Sequence, residues 1–171
     1  MIINHVVLIA LSLVLSGSVS HYAPGVMEKT IKIRQAGRTE YNLPQKLPPV
    51  DGFIAMAEEE HIGKIVFARP QGKEKRWESF LVTDCADRND RQSTIDHRSG
   101  YEWMISEGII AEVDYETAVR WGKTSGGIPA KIIVPPENAI VIQTASETLP
   151  NMVVQNYTKI RLDDFTILIP K

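Results

Sequence analysis

Residues 64–84 read KIVFARPQGKEKRWESFLVTD. Lys64–Ala68 is rich in β-branched and aromatic residues and stops at Arg69-Pro70. Gln71–Lys75 is polar, as a hairpin tip requires, and Trp77–Thr83 resumes the apolar pattern. Two short strands joined by a polar tip therefore stand at the centre of the chain. Outward from this pair, Phe53–Ala57 is apolar and Glu58–Glu60 is an acidic turn. Ile109–Val113, Ile128–Val134, Ala139–Gln143, Asn151–Gln155 and Phe165–Ile169 are further strand candidates. Lys29–Arg34, KTIKIR, alternates polar and apolar residues and reads as another half-buried strand. Leu43–Asp51 carries three prolines and is a loop.

Helical signals are few. Tyr101, Met104 and Ile105 share one face of a helix over Tyr101–Glu107, with Gly108 placed to end it. Asp114 is an N-cap for a second helix over Tyr115–Trp121, with Glu116 in its first turn. Many short strands and two short helices imply a mainly β chain, a barrel with helical insertions.

The chain has 171 residues, 43% of them hydrophobic and 23% charged. That composition excludes a disordered, collagen-like or coiled-coil chain, and the length fits one packed core. A net charge of −2 does not supply the basic face that phosphate neutralisation needs, so nucleic acid is not the expected partner. With one cysteine, Cys85, no intramolecular disulfide forms. Cys85 reads as a small buried residue rather than a nucleophile.

No charged side chain precedes Glu28. Val6–Leu15 is an unbroken apolar run but for Ser12, and small residues follow through Ser20. This is the layout of a secretory signal over residues 1–20, with Ser18 and Ser20 at −3 and −1 of a cut before His21. The apolar stretch falls short of the about 20 residues that a membrane span needs. The expected product is an extracytoplasmic monomer without a stable membrane span. Its barrel would occupy residues 21–134, and a strand-rich extension packed on it would occupy 135–171.

Two apparent ligand motifs fail on spacing. Gly122-Lys123-Thr124 lacks the earlier glycine of a phosphate loop, because Thr117 stands there. Asp87-Arg88-Asn89-Asp90 lacks the glycine and glutamate of a calcium loop, whose places hold Gln92 and Arg98. His61, Cys85 and His97 have no zinc-ligand spacing, so neither metal nor cofactor is expected. Asn156-Tyr157-Thr158 is a glycosylation sequon.

The chemistry-bearing candidates flank residues 84–96. Asp84 ends a strand, and Asp96 precedes a helix. Paired carboxylates are what glycosidic cleavage requires, one as acid and the other as base or stabiliser. Each also has a structural role open to it, as a helix cap or a loop-amide acceptor. Trp77, Trp103 and Trp121, with Tyr22, Tyr41 and Tyr101, offer flat apolar rings for sugar faces, or for the core. Trp103 lies off its helix's apolar face and is expected to be exposed, whereas Trp121 is expected to pack on the barrel. Arg34, Arg38, Arg88, Arg91 and Arg98 put positive charge near the barrel mouth, offset by Asp87 and Asp90.

In order, the chain shows His21-Tyr22-Ala23, Ala55, His61-Ile62-Gly63-Lys64-Ile65-Val66, Val82-Thr83-Asp84-Cys85, Ile95-Asp96 and Ala130-Lys131-Ile132-Ile133-Val134. Over roughly Tyr22–Val134 this resembles the double-psi β-barrel group of rare lipoprotein A, barwin, expansins and family 45 endoglucanases. The resemblance implies a six-stranded double-psi β-barrel. It also implies that Asp84 and Asp96 match the group's strand-end and helix-opening aspartates, and that the ligand is polysaccharide or peptidoglycan. The expected binding residues are Tyr22, Tyr41, Asp87, Arg88, His97, Tyr101 and Trp103. The leading expectation is binding to polysaccharide or cell wall without hydrolysis. The alternatives are a glycan-cleaving hydrolase or lytic transglycosylase using Asp84 and Asp96, and a protein-binding or inhibitor module using the tail after Pro136.

Overall fold

A computed structural model describes residues 13–72, 76–86, 97–143 and 157–171. At its centre, β3 (Ile65–Pro70) and β4 (Glu78–Cys85) pair antiparallel, with Val66 opposite Phe80 and Phe67 opposite Ser79. Both strands are buried on both faces, so their apolar runs are continuous rather than alternating. Val66, Ala68, Phe80 and Val82 point into the barrel core. Phe67 and Leu81 point outward, into two separate apolar clusters.

Around this pair, β1 (Leu13–His21), β2 (Gly52–Met56), β5 (Ile109–Val113) and β6 (Ile128–Val134) complete a closed six-stranded barrel in the order β1-β5-β2-β4-β3-β6. The β1–β5 and β2–β4 pairs are parallel and the other four antiparallel. Exchanging the first three strands for the last three (β1 with β4, β2 with β5, β3 with β6) maps every pairing onto a pairing of the same sense. The connections obey the same exchange. Helix α1 (Val26–Gln35) lies between β1 and β2, and α2 (Gly100–Ser106) lies between β4 and β5. A 3₁₀ turn (Glu59–His61) lies between β2 and β3, and α3 (Tyr115–Arg120) lies between β5 and β6. The barrel thus has a two-fold pattern of topology without a repeated sequence.

Two segments differ from their sequence expectation. Lys29–Arg34 is helical, within α1, not a strand. Met27, Ile31 and Arg34 are the buried positions, spaced four and three apart, whereas Ile33 is 51% exposed. The KTIKIR alternation is therefore a coincidence of an amphipathic helix whose lysines face water. The second is the N-terminal segment. Leu13–His21, placed largely within the expected signal, is a central barrel strand, paired with β5 on one side and β6 on the other. Val19 is fully buried in the core.

Helix α3 starts as expected, with Asp114 Oδ1 accepting from the Thr117 amide at 2.8 Å. Helix α2 has a different opening. Ser99 is its N-cap, in a capping box in which Ser99 Oγ accepts from the Glu102 amide at 3.1 Å and Glu102 Oε2 accepts from the Ser99 amide at 2.8 Å. Asp96, expected to open that helix, lies outside the described residues. Met104 is buried as expected, but Ile105 is 58% exposed. Among the described residues, no helix is long and apolar enough to cross a membrane.

The tail forms a second sheet, β7 (Ile140–Gln143), β9 (Phe165–Pro170) and β8 (Tyr157–Leu162), in the order β7-β9-β8. The Asn151–Gln155 strand candidate lies outside the described residues, and β8 has no counterpart in the sequence expectation. Leu162, Phe165, Ile167 and Ile169 pack with Phe67, Trp77 and Ile133 of the barrel region. Polar ties flank that seam. The Trp77 amide donates to Asp163 Oδ2 at 2.7 Å, and Arg76 reaches Asp164 Oδ2 at 3.1 Å.

Candidate functional site

Strand register sets the first half of the site. Ser20 pairs with Glu112, Glu112 with Ala55, and Ala55 with Asp84, so four strands contribute to one transverse row. Ile54 and Val82 are partners facing the core, but the next pair is Ala55 and Asp84, leaving Thr83 as an extra residue. That irregularity turns Asp84 onto the outer side with Ala55, where α1 packs.

There, Arg34 Nη2 donates to Asp84 Oδ1 at 2.7 Å and Tyr22 Oη donates to Asp84 Oδ2 at 2.9 Å. The ion pair is nearly enclosed, its side chains 11% and 18% exposed. Arg34 Nη1 also donates to the Tyr41 carbonyl at 3.1 Å. Both Asp84 oxygens are therefore engaged, and Arg34 links β4 to the chain beyond α1. Burial, then the Asp84 charge, pushes the Tyr22 phenol far above its ordinary pKa, so Tyr22 remains a hydrogen donor. Cys85 is pushed up by burial and by Asp84, with Arg34 opposing, so its thiolate is disfavoured.

Burial also raises the pKa of Glu112, and the Asp84 charge adds to it. Ser20 and His21 oppose the shift. A carboxyl raised in the folded state holds a proton that the unfolded chain releases. Stability therefore falls as pH rises from the ordinary glutamate value through the folded one. Glu112→Gln is expected to raise the melting temperature at pH 7 and leave it unchanged at pH 4. Thermal scans at the two pH values check this.

The second half of the site is an open cleft of about 380 Å³ between α2, the end of β1 and the turn before β6. Ser18, Ser20, His21, Trp103, Glu107 and Ile109 line it, with the backbone of Gly126 and Gly127. Trp103 is half-buried. Trp77 and Trp121, at 8% and 6% exposure, belong to the core. Trp121 Nε1 donates to Glu78 Oε1 at 3.0 Å and the ring meets Phe80 edge-on, as a packing role requires. His21 Nδ1 lies 3.1 Å from the Tyr22 carbonyl, and its ring packs edge-on against Tyr115. A Cβ at Gly127 would overlap Ser18 Oγ, so a side chain there would require the Ser18 hydroxyl to turn away. Arg98 pairs with Glu107 at 3.2 Å, and Lys123 Nζ donates to the Gly127 carbonyl.

Of the residues expected to form the site, Tyr22 and Asp84 are in contact, and Trp103 lines the cleft. Tyr41 contributes its carbonyl to Arg34. Tyr101 Oη donates to Glu58 Oε1 at 3.1 Å, tying α2 to the chain beside the 3₁₀ turn. His97 is exposed, with φ 56°, and does not line the cleft. Asp87, Arg88 and Asp96 lie outside the described residues. Arg34 and Arg98, expected to make the mouth positive, are each neutralised by a carboxylate. Sequence reasoning missed Ser18, Ser20 and His21 because they stood in or beside an expected leader. It missed Glu112 too, although an acid inside the apolar run IIAEV is a readable signal.

No protein-family model matches this chain, and neither a curated protein nor a solved structure is detectably similar to it.

Proposed function

We propose that this chain is a double-psi β-barrel that binds polysaccharide in the Trp103 cleft without cleaving it. The observation that carries the reading is the cleft itself, in which a half-buried indole stands among serine hydroxyls, an imidazole and a carboxylate. A flat ring beside hydrogen-bonding groups suits the apolar face and hydroxyl edge of a sugar. Support for the double-psi assignment comes from the exchange symmetry of the pairings, with a helix in each equivalent crossover. Support for binding without cleavage comes from Asp84, whose two oxygens already hold Arg34 and Tyr22.

Trp103→Ala is expected to reduce affinity up to about tenfold, the scale of one stacked ring in a cleft. The check is co-sedimentation with insoluble peptidoglycan, cellulose and chitin. Absence of binding to all three would overturn the reading. We also place the protein outside the cytoplasm as a monomer, on the apolar run Val6–Leu15. Because β1 begins at Leu13, the exported chain is expected to start at or before that residue. N-terminal sequencing of exported protein checks it, and a start at His21 would contradict it.

A further inference from the structure

We infer that a pair of cations, Arg69 and Lys131, extends the Trp103 cleft along β1 and makes acidic polysaccharide its ligand. This inference rests on the polysaccharide reading and names the class of sugar. Arg69 of β3 and Lys131 of β6 are direct partners in the antiparallel register. Their neighbours Ala68, Ala130 and Ile132 face the barrel core, so both cations stand on the outer face. Directly opposite residues have Cβ atoms about 4.5–5.5 Å apart, and like charges placed so destabilise a sheet. The Arg69 guanidinium is held in place, its central carbon 4.7 Å from the centre of the buried Trp77 ring. Lys131 is exposed.

Among the described residues, neither cation joins an ion pair. The acids of the adjoining seam are engaged, Asp163 with the Trp77 amide and Asp164 with Arg76. A chain of net charge −2 thus sets two cations side by side, an arrangement that an anion from outside would relieve. The pair adjoins the cleft. Ser16 of β1 is opposite Lys131, and Ser18, which lines the cleft, is opposite Pro129. Ser16 and Ser18 share one face of β1, about 6.5–7 Å apart along the strand. Ser16 and Pro129 are both exposed, so this stretch is open. A sugar chain that lies in the cleft and follows β1 carries its next residue over Ser16 and the two cations. A carboxylate on that residue accepts from the ammonium and the guanidinium together.

The test is calorimetric titration of the full chain. Probes are a galacturonate hexamer, its methyl ester, which keeps the backbone and loses the charge, and inorganic phosphate. The acidic hexamer is expected to bind about tenfold tighter than the ester, the scale of two partly exposed ion pairs, with the gap shrinking at high salt. Lys131→Glu is expected to close the gap and raise the melting temperature, because it relieves the like-charge pair. A purely structural role would leave the gap unchanged. Trp103→Ala is expected to weaken both hexamers, as one continuous site requires. Equal or tighter binding of the ester, a gap that survives Lys131→Glu, or displacement of the acidic hexamer by equimolar phosphate would overturn the inference and leave polysaccharide binding standing. Binding of neither hexamer, together with no co-sedimentation, would overturn both.

Discussion

A chain that begins at His21 is expected not to fold, whereas one that begins at Leu13 unfolds cooperatively. The difference is β1. It closes the barrel by pairing with β5 on one edge and β6 on the other, over Ser18–His21 and Leu13–Val19 respectively. Without it, two strands become open edges with unpaired amides and carbonyls. The core loses Val19, which is fully buried, and Ala111, Val113, Ile128, Ile132 and Val134 lose one wall. Val19 alone is worth about 1.5–3 kcal/mol of apolar burial. Adding the lost ladder bonds and the exposed wall exceeds the about 5–15 kcal/mol that separates folded from unfolded domains. Near-UV circular dichroism and thermal unfolding of the two chains decide the matter. A cooperative transition in the His21 chain, within a few degrees of the longer one, would show that the barrel closes without β1.

Breaking the Arg34–Asp84 pair from one side is expected to destabilise the protein by about 2–4 kcal/mol, because a nearly enclosed charge is left unmatched. Asp84→Leu would orphan the Arg34 guanidinium, whose Nε is already buried without a partner among the described residues. Arg34→Met would instead leave a carboxylate held, among the described residues, by the Tyr22 hydroxyl alone. Removing both charges is expected to recover most of the loss, since two apolar side chains avoid the desolvation of either ion. The denaturant midpoints of the four proteins form the cycle that measures the coupling. A double variant that is no more stable than the worse single variant would show that the charges act independently. Under the proposed function, the double variant keeps its affinity for polysaccharide. Loss of affinity at full stability would move Asp84 into the binding machinery.

Local patterns carried much of the architecture. β3 and β4 were legible because continuous apolar runs between turn residues mark strands buried on both faces, and β5 and β6 because their apolar, β-branched runs show an alternating burial pattern. Asp114 was legible as a cap because a capping aspartate acts on amides only two or three residues away. Where alternation over six residues competed with helical spacing, as at Lys29–Arg34, the sequence admitted both periods. Burial of Met27, Ile31 and Arg34 against β2 and β4 decided between them. The apolar N-terminal run was ambiguous for another reason. A leader and a barrel strand use the same kind of residues, and in the folded chain Leu13–His21 pairs with both β5 and β6.

The candidate site belongs almost wholly to the second level. By itself, the sequence determined the mainly β character, the turn positions, the α3 cap and the choice of Asp84, Tyr22 and Trp103 as residues worth following. It could not set Ser20, Glu112, Ala55 and Asp84 in one row, because that row depends on pairings between strands far apart in the chain and on one extra residue at Thr83. Nor could it bring Arg34 to Asp84, 50 residues away, or place Trp103 beside Ser18 and His21. Short-range chemistry is written in neighbouring residues. Which distant side chains meet is fixed only when the barrel closes and its register is set.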